Sequence, residues 1–96
     1  MDHRVLFTER ALNDLAGIIG RIAKDDPEAA SRFGTALLDH IDMLGRFPRM
    51  GAPIRKRARV RKLVHSPILI YYKFHEDRGL VEVLHLRHGS RRPARP

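Results

Sequence analysis

A chain of 96 residues without cysteine holds one domain with a modest core, and it excludes disulfides and cysteine-built zinc sites. Apolar residues make up 43%, too many for a disordered chain, yet no apolar run approaches the roughly 18–20 residues that cross a bilayer. Lys and Arg number 19 against 11 Asp and Glu, a net charge of +8 that favours polyanionic partners such as nucleic acid or an acidic polypeptide.

The opening MDHRVLF has no long apolar stretch of the signal-peptide kind, so a cytoplasmic location is expected. His3 to Phe7 reads as a short strand, on the bulky apolar Val5, Leu6 and Phe7. Thr8 then fits a helix N-cap, with Glu9 in the first turn where the helix dipole favours an acid. Leu12, Leu15, Ile19 and Ile22 recur at helical spacing, flanked by Ala11 and Ile18, and predict a helix over Glu9 to Lys24. Gly17 and Gly20 weaken it by a little under about 1 kcal/mol each and leave room for a close neighbour.

Asp25-Asp26-Pro27-Glu28 breaks the first helix and starts a second, with Asp26 as cap and Pro27 at the first helical position. Ala30, Phe33, Leu37, Ile41 and Leu44, widened by Leu38, form its apolar stripe, and Gly45 is a plausible stop. So short a link predicts an antiparallel helical hairpin. Arg46 to Arg59 is punctuated by Pro48, Gly51 and Pro53 and reads as a basic loop.

Three strands follow: RKLVH from Arg61, ILIYYKF from Ile68, and LVEVLHLRH from Leu80. Ser66-Pro67 and Glu76 to Gly79 mark the hairpin turns. The middle strand is apolar on both faces, which suits a central place. Strict alternation in the last strand puts Leu80, Glu82, Leu84, Leu86 and His88 on one face, and Val81, Val83, His85 and Arg87 on the other. The domain would span residues 1–89, followed by a basic tail, 90–96. The expected class is α+β, in the order β-α-α-β-β-β, a mainly antiparallel sheet with a helical hairpin on one face. The other face is left for solvent, target or partner. Some of Ile68, Ile70, Tyr72, Val81 and Val83 are expected there as an apolar patch, which is a physical reason to expect a bound partner.

The layout and the stretch RKLVHSPILIYYKFHEDRGLVEVLHLRHGSRR resemble the RelE/ParE toxins of bacterial type II toxin–antitoxin systems. The likeness covers nearly the whole chain. It includes FTERALNDL after the first strand, the DDPEAA restart, the FPRMG turn, Arg61 near the start of the next strand, the apolar strand with Tyr71-Tyr72, and the closing VLHLRHGSRR. The resemblance implies a toxin neutralised by a cognate antitoxin, ParD-like or RelB-like, in a hetero-oligomer. It implies one of two targets: ParE-like toxins poison DNA gyrase, and RelE-like toxins cut mRNA in the ribosomal A site.

Cleavage by 2′-hydroxyl attack needs a base, an acid and cations for the phosphorane charge. For that reading the candidate catalytic residues are Lys56, Arg61, Arg87 and His88, with Arg57 and Lys62 adding charge. Two departures count against it. RelE-like toxins commonly carry Tyr-Arg-x-x-Tyr in the central strand, and Leu69 stands where that Arg is expected. No aromatic residue follows the last strand. The ParE-like reading is therefore favoured. The expected target-binding residues are Arg61, Lys62, Arg87, His88, Arg91 and Arg92, and the expected antitoxin-binding residues are Arg55, Arg57, Tyr72, Val81 and Val83.

Each has a plainer reading. His88 can cap a strand edge, His85 can be a strand neighbour, Tyr71 and Tyr72 can be packing, and Arg49 to Arg59 can be a solvated loop. Glu9 and Asp14 read as solvated polar residues. His65, His75 and His85 lack Cys or Asp at ligand spacing, so no metal site is expected. No catalytic triad, phosphate loop or cofactor motif is present.

Overall fold

The computed structural model describes residues 2–89. β1 (Arg4–Phe7) runs directly into α1 (Glu9–Asp25). Thr8 makes the junction: its backbone is extended, its hydroxyl accepts from the Ala11 N–H at 3.0 Å, and the same hydroxyl donates to the Leu84 carbonyl at 2.7 Å. The helix cap is thereby pinned to the last strand of the sheet.

A single residue, Asp26, separates α1 from α2 (Pro27–Asp42). Its N–H closes α1 on the Ile22 carbonyl, and its carboxylate accepts from the Ala29 N–H to open α2. Ile19 of α1 touches Gly34 of α2, so the helices fold back along one another as a hairpin. The predicted stop at Gly45 is a 3-10 turn, Met43–Gly45, whose last carbonyl accepts from the His3 N–H at 2.7 Å.

The sheet has five strands in the order β1-β5-β4-β3-β2. β3 (Val60–His65), β4 (Ile68–His75) and β5 (Leu80–His88) are antiparallel neighbours, and β1 pairs in parallel with β5. β2 (Ala52–Pro53) is a two-residue edge strand inside the stretch predicted as loop, with Ala52 opposite Lys62. Gly79 closes the β4–β5 turn in the left-handed region, at φ 59°, where glycine has no Cβ penalty. The architecture is the α+β arrangement of two helices against a mainly antiparallel sheet.

The strict alternation expected for β5 fails. Tyr71 pairs with His85 but Tyr72 pairs with Val83, which leaves Leu84 as the extra residue of a β-bulge. The bulge resets the period, so Val81, Val83 and Leu86 are all buried on the side facing the helices. Ile68, Ile70 and Tyr72 join them there. The apolar patch expected on the open face from these residues therefore does not exist. They are the core, packed against Leu37 and Ile41 of α2 and Ala11 of α1. Conversely, Leu12 and Leu38, placed in the helical stripes by spacing, are 51% and 43% exposed.

Candidate functional site

Residues opposite one another in an antiparallel pair share a face, so the register sorts the candidates. On the open face one row runs Lys62, Tyr71, His85, and the next runs Val64, Leu69, Arg87. On the helix side the rows are Arg61, Tyr72, Val83 and His65, Ile68, His88.

The open face carries an aromatic and cationic cluster. The Tyr71 and His85 rings stack with centroids 4.5 Å apart and planes 14° from parallel. The Arg87 guanidinium carbon lies 5.8 Å from the centre of the Tyr71 ring. Burial pushes the His85 pKa down, as do the charges of Arg10, Arg57 and Arg87, while Asp14 acts the other way. At neutral pH His85 is thus an uncharged imidazole among cations. His85 had read as a plain strand neighbour. Its partner Tyr71, on a half-exposed face, gives it a place in the cluster. Leu69, paired with Val64 and Arg87, brings an apolar side chain to this face of β4.

The nuclease set predicted from sequence is split by the sheet. Arg87 lies on the open face, whereas Arg61 and His88 lie on the helix side, and Lys56 is exposed in the loop before β3. Arg61 donates to the carbonyls of Gly51 at 2.6 Å and Arg49 at 3.3 Å. It works with Tyr72, whose hydroxyl donates to the Pro48 carbonyl and accepts from the Gly51 N–H. Together they anchor the segment 48–51 to the sheet. Gly51 is required there, since a Cβ would lie 2.8 Å from both the Lys62 carbonyl and the Tyr72 hydroxyl. Of the expected target-binding residues, Lys62 and Arg87 share the open face, and Arg91 and Arg92 lie outside the described residues.

Of the expected antitoxin contacts, Arg55 and Arg57 are exposed. Tyr72, Val81 and Val83 are corrected: each is 0% exposed and holds the sheet to the helices, so none offers surface to a partner. The bulge at Leu84 is the reason for the two valines, and the central position of β4 for the tyrosine.

His88 rims a groove of about 840 Å³ between α1 and the end of β5. Gly17, Ile18, Phe33 and Leu86 line it, with Asp14 and Arg21 among its polar residues. Asp14 is not merely solvated. Beyond Phe7 the β5 edge has no strand partner among the described residues, and the Asp14 carboxylate accepts the Leu86 N–H at 3.0 Å. An acid on a helix whose partner is 72 residues away leaves no local sequence signal. Among the described residues no three His, Asp or Glu gather as a metal site, and no helix is long and apolar enough to cross a membrane.

A small α+β sheet with a helical hairpin on one face and a basic cluster on the other defines a class that comparison with known proteins resolves. The family "ParE toxin of type II toxin-antitoxin system, parDE" matches residues 5–93. The protein Y4kP of Sinorhizobium fredii is 36% identical over 83 residues, covering 85% of this chain and 86% of that one. Toxin RelE2 of Caulobacter vibrioides is 34% identical over 88 residues, covering 92% and 97%. Among solved structures, a chain of the chromosomal ParDE TA system from P. aeruginosa shares the fold, with a TM-score of 0.74 at 18% identity over 90% of this chain and 95% of that chain. The chain belongs to the ParE toxin family, within the RelE/ParE superfamily of type II toxin–antitoxin toxins.

Proposed function

We propose that this toxin acts on DNA gyrase in the cytoplasm and is neutralised by a cognate ParD-like or RelB-like antitoxin. The match to the ParE family across residues 5–93 carries this reading. Leu69 supports it, because an apolar side chain stands at the β4 position where a nuclease would hold a cation for the phosphorane charge. The toxin unit is residues 1–89, and Lys62, Arg87 and the tail residues Arg91 and Arg92 supply charge for the target. Arg55 and Arg57 of the exposed loop are offered to the antitoxin.

A second reading, a ribosome-dependent endoribonuclease, is favoured by one observation. The stacked Tyr71 and His85, with Arg87 beside them, combine an uncharged imidazole with cations on an accessible face. The name of the Caulobacter relative, RelE2, points the same way.

Controlled expression separates the two. Gyrase poisoning gives growth arrest with an SOS response and gyrase–DNA cleavage complexes in lysates. Fresh transcript ends inside coding regions without DNA damage would reject it in favour of the nuclease. Co-expression of a cognate antitoxin should restore growth in either case.

A further inference from the structure

Apart from the open face and the groove, one pair of titratable groups joins two elements with no part in either reading. His40 of α2 and His65 of β3 face each other, Nδ1 to Nδ1, at 2.9 Å, across 25 residues of sequence. Their ring centroids are 5.1 Å apart, and Phe33 meets the His65 ring edge-on at 5.5 Å. Two nitrogens at that distance share one proton: one Nδ1–H donates, and the other Nδ1 must be bare.

We propose that His40 and His65 form a proton-gated clamp between α2 and β3, closed while at least one ring is neutral and opened by a second proton. With both rings protonated, each Nδ1 is a donor and neither accepts. Two like charges then sit in contact on a half-buried surface, and the hydrogen bond becomes a repulsion.

The surroundings carry charges of both signs, and those that act on His65 are few. On β3 the next side chain on this face beyond Leu63 is Arg61, a cation turned to the carbonyls of Gly51 and Arg49. The β4 residue opposite His65 is Ile68, and the β5 residue opposite Ile68 is His88, itself titratable. The acids on this side are Asp39 and Asp42, which neighbour His40 along α2, and Asp25 and Asp26, which line the groove beside Phe33 and Ile68. Burial, then the charge of His40, lowers the His65 pKa from 6.5. The sign follows: the unfolded chain takes up this proton more readily than the folded one, so stability is full above about pH 6.5 and falls as the pH drops below it. Acid would thus loosen α2 from the β3 side of the sheet, while the α1–β5 contacts, which involve neither ring, are kept.

The test uses the full chain. Melting temperatures at about pH 7.5 and about pH 5 are compared for the wild type and for His40→Asn, whose amide can accept from His65 or donate to it in either protonation state. The wild type should lose roughly 4–8 °C more than the variant on acidification. Equal losses would overturn the clamp. Should His40→Asn not fold, long-range ¹⁵N–¹H correlations of the wild-type imidazoles at neutral pH decide: one Nδ1 protonated and the other bare supports the shared proton. Two rings that both carry hydrogen on Nε2 alone, or a His65 titrating at the ordinary 6.5, would overturn it.

Discussion

The ring of Tyr71 lies flat on the imidazole of His85, and the β4–β5 register puts the two residues directly opposite each other. The stack exists because Leu84 bulges out just before His85. Without that extra residue the two rings would sit on different faces. Cover by the tyrosine belongs to the burial that lowers the His85 pKa, ahead of the charges of Arg10, Arg57 and Arg87. Tyr71→Ala should therefore raise the His85 titration toward 6.5, read from its imidazole proton shifts. For the parent chain the sign is that of a histidine held neutral: its contribution to stability is full above about pH 6.5 and declines as acid forces the proton on. A His85 titration unchanged by the substitution would show that the cations, not the ring cover, set it.

Tyr72 gives a sharper stability prediction. Its hydroxyl is the partner of two buried backbone groups, the Pro48 carbonyl and the Gly51 N–H. Tyr72→Phe keeps the ring in the core and strands both groups, at a cost of roughly 1–3 kcal/mol in urea unfolding. Burial also raises the tyrosine pKa, against the opposing effects of the Gly51 hydrogen bond and Arg61. The folded state thus holds its proton longer than the unfolded one, and stability should fall as the pH rises past about 10. Tyr72→Phe should remove that alkaline loss.

How much of this was legible in the sequence depends on the range of the interaction. Thr8, Asp26 and Pro27 act on residues two to four positions away, so the helix ends could be read directly. Apolar spacing located both helices and the three long strands, because burial of one face imposes the period. The bulge at Leu84 could not be read, since LVEVLHLRH alternates acceptably in either register and the choice is made by β4 and by the Thr8 hydroxyl. That single residue moved Val81 and Val83 from the candidate partner surface into the core. β2 was missed because two residues, one of them proline, carry no strand signal and pair only where β3 provides an edge. Arg61 looked like a target contact because charge on a strand says nothing about carbonyls brought over it by a distant loop.

Asp14 illustrates the same blindness and yields a third prediction. Its carboxylate is the acceptor for the Leu86 N–H, at a stretch of β5 edge that β1 does not reach. Asp14→Ala removes the acceptor and should cost roughly 1–3 kcal/mol, with faster hydrogen exchange at the Leu86 amide. Asp14→Asn keeps a carbonyl oxygen in place and should fall between. If Leu86 exchange is as slow in the alanine variant as in the parent, the helix is not capping the strand edge in solution.

The open face finally separates the two targets. A nuclease that used His85 as its base would lose about 10²–10⁴-fold in cleavage on His85→Gln, since proton transfer is the step removed. Under the gyrase reading, recognition draws on shape and charge from this face, not on a proton acceptor. His85→Gln keeps a flat polar side chain against Tyr71 and should leave growth arrest and gyrase–DNA complexes near the parent level. Arg87→Ala removes a cation from the same face and should weaken gyrase capture, with a deficit that shrinks as salt is raised. The two variants are to be expressed at matched levels, with transcript ends and DNA breaks scored in the same cultures. Loss of toxicity in His85→Gln together with loss of transcript cuts would assign the chain to the nuclease branch, whatever its family match.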